Sequence, residues 1–135
     1  MPVAIPALET RRPPWPADIP LRIYMSFRTH AVPAFVFQRW RSLNPAFSLR
    51  LYNDTECEIF VRQHFGIACA AMYGQIGSGP IRADYWRVLV LLAFGGVYVD
   101  VDIEPVVPLH AFVQQGDAFV TSNALYRAMV NPHIL

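Results

Sequence analysis

The chain has 135 residues, 54% of them hydrophobic and 16% charged, which is about one domain with enough apolar material for a real core. That balance excludes wholesale disorder, and a formal charge of +1 excludes a nucleic-acid binder that works by bulk electrostatics. The eleven cationic Lys/Arg positions are all arginine, so no Schiff-base, P-loop or general-base lysine is available.

Six of the twelve prolines fall in the first twenty residues, and residues 1–19 read as an extended proline-rich tail. Residues 20–135 read as the domain. A short apolar strand is predicted at 21–27 and a helix at 33–43. Residues 47–52 alternate as a strand does. Asn53-Asp54 can cap the next helix, with Glu56 and Glu58 in its first turn, and Gly66 should stop it. A helical stretch at 67–76 ends in Gly77-Ser78-Gly79. Pro80 then opens a helix over 81–94, and Gly95 is placed to cap its end. From Val88 onward this helix is apolar all round and is expected to be buried on every side. Val97-Tyr98-Val99 is a strand running into Asp100, a further strand is expected at 118–121, and one or two helical turns at 123–129. Strands alternating with helices predict an α/β domain around a mainly parallel sheet.

Nothing in the chain has the pattern of a signal peptide. Its longest apolar run, Val88 to Val99, is twelve residues, against about 20 for a membrane-spanning helix. A cytoplasmic location is the default expectation, with a Golgi or ER lumen open if a longer chain carries an anchor. Cys57 and Cys69 lack the number and spacing of a disulfide scaffold or a zinc site and read as core thiols. The four histidines are scattered without ligand spacing, and Trp15, Trp40 and Trp86 read first as packing residues.

The local contrast that carries chemistry is one of charge. Between Arg87 and Arg127 there is no arginine, while Asp100, Asp102, Glu104 and Asp117 all fall in that interval. In an extended backbone Asp100 and Asp102 share a side, at the end of a strand, where open α/β sheets bind ligands. Two facing carboxylates without a cation repel, and a hard divalent ion such as Mg²⁺ or Mn²⁺ relieves that conflict. A lone D-x-D is common in solvated strand ends. The buried helix, Gly-Gly turn and β-branched strand before it are what single this one out. Asp84 and Arg87 are three apart on the preceding helix, so they share a face. They form either an ordinary bridge or a pair in which Asp84 accepts from a ribose or base and Arg87 meets a phosphate.

Several blocks together resemble one family. They are residues 19–27 as an opening strand, Trp40 with Asn44-Pro45, then Tyr52-Asn53-Asp54. The strongest is Ala83-Asp84-Tyr85-Trp86-Arg87, continuing through Gly95-Gly96-Val97-Tyr98-Val99-Asp100-Val101-Asp102, with an echo in Asn123 and Asn131-Pro132-His133. These blocks are similar to the DXD-containing sugar-binding glycosyltransferases. That family includes initiating α-mannosyltransferases, inositol-phosphorylceramide mannosyltransferases and capsule enzymes, and it is related to the glycosylating toxins. The resemblance implies a GT-A fold, a UDP- or GDP-sugar donor, Mn²⁺ or Mg²⁺, and transfer of a hexosyl group with retention to a glycan, lipid or protein acceptor. It implies Asp102 as the direct metal ligand and Asp100 as a ribose ligand that assists the metal. It implies Asp84 and Arg87 as donor ligands, with Phe27 stacking on the base. Tyr24 and Met25 replace the family's usual His-Gln in the nucleotide pocket. No nucleophile is assigned.

Two other readings stand beside this one. GT-A catalytic domains are usually longer, so the chain is expected to be shortened after its donor half. It would then bind the donor, or hydrolyse it slowly, and transfer poorly. A haloacid-dehalogenase-type phosphatase also places D-x-D after an apolar strand, but Glu104 at the fifth motif position and the missing lysine argue against it.

Overall fold

The computed structural model describes residues 19–111 and the backbone of 119–121. The expected tail up to residue 18, the helical turns at 123–129, Asp117 and Asn131-Pro132-His133 lie outside the described residues. In chain order the elements are β1 (Arg22–Ser26), α1 (Ala34–Leu43), β2 (Ser48–Tyr52), α2 (Asp54–Gly74), α3 (Gly79–Phe94), β3 (Gly96–Tyr98), a single 3-10 turn (Leu109–Ala111) and β4 (Phe119–Thr121). The four strands form one parallel sheet in the order β2-β1-β3-β4. The register sets Arg22 opposite Ser48, Ile23 opposite Val97, and Gly96 opposite Phe119.

Strand alternation divides the side chains into two cores. Ile23, Met25, Leu51, Val97 and Val99 face one way, onto Trp40 of α1 and Leu109. Tyr24, Tyr52 and Tyr98 face the other way, onto Cys57, Phe60, Val61 and Tyr73 of α2 and Trp86, Leu89, Val90 and Leu91 of α3. The sheet is therefore covered on both faces, as a parallel sheet requires. Ile19, which the sequence places at the end of the tail, is instead buried in the α1-side core.

Punctuation by small and polar residues follows the sequence closely. Asn53 and Glu56 make a reciprocal capping box at the start of α2, each side chain accepting the other's backbone N–H at 2.9 Å. Gly66, at φ 88°, kinks α2 and divides it into two helical pieces where the sequence stops one helix and begins another. Gly95 closes α3 by donating to the Leu91 carbonyl at 2.8 Å. Gly96 is obligatory: its φ is 97°, and a Cβ there would stand 2.8 Å from the Arg22 carbonyl oxygen of β1.

One expectation fails. The second half of α3 is not buried on every side. Leu89, Val90 and Leu91 are buried, but Val88 is 61% and Leu92 72% exposed. The sheet and α2 pack on the inward face of α3, where Leu89, Val90 and Leu91 lie.

Candidate functional site

The strand order fixes where a site can form. From β1 the chain crosses by α1 to β2 on one side, and it later returns by α2 and α3 to β3 on the other side of β1. Connections therefore diverge between the C-terminal ends of β1 and β3, the switch point at which open α/β sheets hold ligands. A cleft of about 550 Å³ opens there. Ser26, Phe27 and Arg28 after β1 line it, with Tyr98, Asp100, Val101 and Asp102 at the end of β3, Arg82, Asp84 and Arg87 of α3, and Asp54, Cys57 and Tyr73 of α2.

Asp100 and Asp102 both line the cleft, but not by strand alternation. β3 ends at Tyr98, and the Ile103 N–H donates to the Asp100 carbonyl at 3.1 Å, so the acids occupy a turn. Neither is the surrounding charge as uniform as the sequence interval suggests. Arg87 reaches Asp84 at 2.7 Å and Asp100 at 3.6 Å, placing a cation between two carboxylates sixteen residues apart in the chain. Asp84 is 68% exposed and Asp100 36%. Burial raises the Asp100 carboxyl above the usual carboxylate value; Arg87 opposes this and Asp102 adds to it. The Tyr98 hydroxyl, pushed up to about 12 mainly by burial, exchanges a 2.7 Å hydrogen bond with Ser26 and stays neutral.

The turn is tied to both helical layers. Arg87 holds Asp100 from α3. On the other face Trp40 of α1 donates its indole N–H to the Ile103 carbonyl at 3.2 Å, and Arg39 of α1 pairs with Glu104.

Phe27 lies half-buried at the cleft with the Arg28 guanidinium 5.5 Å from its ring centre. Tyr24 is a correction. It is buried in the α2/α3 core, packed against Tyr52 and Phe94, and does not line the cleft, which β1 reaches only from Ser26 onward. The sequence reading passed over Arg28 and Arg82. Arg82 stands one turn before Trp86 on the inward face of α3, a signal available from spacing alone. It donates to the Ile76 carbonyl at 2.8 Å and lies 3.7 Å from Glu58. Nε of Arg82 and of Arg87 is buried without a hydrogen-bond partner among the described residues. Both arginines line the cleft, so their positive charge stands beside its carboxylates.

Among the described residues no group of three or more His, Cys, Asp or Glu is arranged to hold a metal ion. Two carboxylates on one turn still fit a hard ion of the Mg²⁺ type, which takes one or two protein carboxylates and draws its other oxygens from substrate phosphates and water. The residues present match that donor set.

Fold and cleft together define an α/β protein with a cleft at its switch point that acidic and arginine side chains line. Residues 33–120 match the family described as "Glycosyltransferase sugar-binding region containing DXD motif". The chain belongs to this family, and membership replaces the phosphatase alternative. The initiation-specific alpha-1,6-mannosyltransferase of Schizosaccharomyces pombe is 31% identical over 100 residues, which is 68% of this chain and 25% of that protein. The Candida albicans protein of the same name is 27% identical over 82 residues, 59% of this chain and 21% of that one. The putative glycosyltransferase HOC1 of Saccharomyces cerevisiae is 27% identical over 128 residues, 79% of this chain and 32% of its own. The chain thus spans between a fifth and a third of the length of these relatives. No solved structure matches it significantly. No helix among the described residues is long and apolar enough to cross a membrane.

Proposed function

We propose that the cleft binds the nucleoside diphosphate of a UDP- or GDP-hexose with a divalent ion, for transfer of the hexosyl group to an acceptor hydroxyl. The observation that carries this reading is the convergence of Asp84, Arg87, Asp100, Asp102 and Phe27 on one cleft at the switch point. Family membership and the names of the mannosyltransferase relatives support it.

In this reading Asp102, exposed on its turn, is the direct metal ligand, and Asp100 shares the ion or a ribose hydroxyl. The ion, Mn²⁺ or Mg²⁺, supplies Lewis-acid neutralisation of charge on the leaving diphosphate. Arg87 is held ready by Asp84 and presents its remaining N–H groups to a phosphate oxygen, where bidentate geometry is available. Arg28 and Arg82 add positive charge around the same anion. Phe27 offers its ring to the base. A retained configuration at the sugar belongs to the proposal through the family alone.

The experiment is a titration of the purified chain with UDP, GDP and their hexoses in Mn²⁺ and in EDTA, read by calorimetry. Tight binding of one nucleotide only in Mn²⁺ is the expected result. Equal binding in EDTA, or none at all, overturns the reading.

A further inference from the structure

A second cavity, of about 220 Å³, lies on the α1 side of the D-x-D turn. Phe35, Val36 and Arg39 of α1 form one wall, and residues 101–105 form the other. Val101 and Asp102 line both this cavity and the cleft. A molecule seated here is therefore one side chain away from one seated at the switch point.

We infer that this cavity is the acceptor subsite and that it takes a single pyranose ring; the inference rests on the donor reading of the main cleft. Size argues first. The cavity is smaller than the roughly 300–1,000 Å³ of pockets for drug-sized ligands, whereas the main cleft falls inside that range. The smaller space suits one sugar ring rather than a nucleotide.

The chemistry of the walls argues next. A pyranose presents a flat patch of C–H groups on one side and a rim of hydroxyls. Phe35 supplies the complement of the flat patch. The residue is 64% exposed and takes no part in the α1-side core, to which Trp40 belongs. Arg39 and Glu104 supply the complement of the rim. Both side chains are exposed, both line the cavity, and they pair with each other. A guanidinium has five N–H groups and a carboxylate about four lone-pair sites, so the pair keeps free donors and acceptors for hydroxyls. Val36, Val101 and Ile103 pack against the core and make the floor firm.

Position completes the case. Transfer needs the acceptor hydroxyl at near-contact distance from the sugar carbon, about 3–3.5 Å between reacting atoms. A ring held between α1 and the turn approaches the cleft from the side of Asp102, opposite the α3 side that carries Asp84 and Arg87. Donor and acceptor then occupy the two flanks of one turn.

The test uses the whole chain with methyl α-D-mannopyranoside as probe, followed by saturation-transfer NMR, and a parallel donor titration with GDP-mannose and UDP-glucose in Mn²⁺. Phe35→Ala changes an exposed side chain that makes no tie to the D-x-D turn. It is expected to weaken glycoside binding by about tenfold or more, while donor affinity stays unchanged. Absence of saturation transfer to the glycoside in the wild type, or equal transfer in the variant, with donor binding intact, overturns the acceptor subsite and leaves the donor reading standing. Loss of all donor binding in the wild type overturns the donor reading, and the acceptor assignment with it.

Discussion

Two acidic segments follow two parallel strands, and they have opposite fates. After β2, Glu56 is satisfied from within: it accepts from the Asn53 backbone N–H and lies 2.9 Å from His30. The backbone hydrogen bond, opposed by slight burial and helped by His30, holds its carboxyl below the ordinary value. After β3, Asp100 is half-buried, its carboxyl is raised by that burial, and its nearest cation is Arg87 at 3.6 Å. The first acid is spent on closing a helix. The second is left with unmet demand at the mouth of a cleft. Sequence counts both as carboxylates near a strand end; only their partners separate structure from function.

Removing an acid from the second segment should cost ligand and not fold. Asp102→Asn is expected to abolish Mn²⁺-dependent nucleotide binding, a loss beyond the roughly 10–100-fold seen for an outer partner of a metal ligand. Its melting temperature should match the wild type. A parallel fall in both would erase the contrast.

Arg87→Ala comes next. A hydrogen bond to a charged group contributes about 1.5–3 kcal/mol, so donor affinity should fall by about 10- to 100-fold. The i, i+3 pair with Asp84 contributes only about 0.2–0.5 kcal/mol to the helix. A donor titration identical to the wild type would reduce Arg87 to that bridge.

The first segment should behave in the reverse way. Asn53→Ala removes the cap and should cost about 1 kcal/mol of unfolding free energy, with donor affinity unchanged. Urea melts and calorimetry on the same sample check both halves. The smallest effect concerns pH. Because the Glu56 carboxyl is held below its usual 4.5, its contribution is fully present above that pH and is lost as pH falls through the lowered value. The stability gap between wild type and Glu56→Gln should therefore narrow between neutral pH and pH 3; a constant gap would show that the ionised form is not what the cap uses.

Much of this arrangement is legible in the sequence where the signal is local. Gly66, Gly95 and Asn53 act on their own backbone, so the breaks and caps fall where they are expected. The D-x-D turn and Phe27 come to the cleft because strand ends do. What the sequence hides is lateral. Tyr24 enters the core because Tyr52 and Phe94, from β2 and α3, pack over it, a matter of neighbours and not of motif. Val88 and Leu92 are exposed because a helix is buried only where another element covers it. Arg87 comes beside Asp100 from across a Gly-Gly turn and a strand, so a count of charges along the chain calls that stretch purely acidic. Arg28 and Arg82 join the cleft from separate elements.

The attachment of the D-x-D turn to both helical layers has a consequence for how binding should spread. Asp102 sits between two anchors, Asp100 held by Arg87 of α3 and Ile103 held by Trp40 of α1. A ligand that draws Asp102 inward loads both anchors at once, so the turn acts as a tie-beam between opposite faces of the sheet. Amide hydrogen exchange would register this as slower opening in α1 and α3 together, including at positions that no ligand atom reaches. In a chain carrying Trp40→Phe, which loses the indole N–H but keeps an aromatic ring, the slowing should persist in α3 and fade in α1.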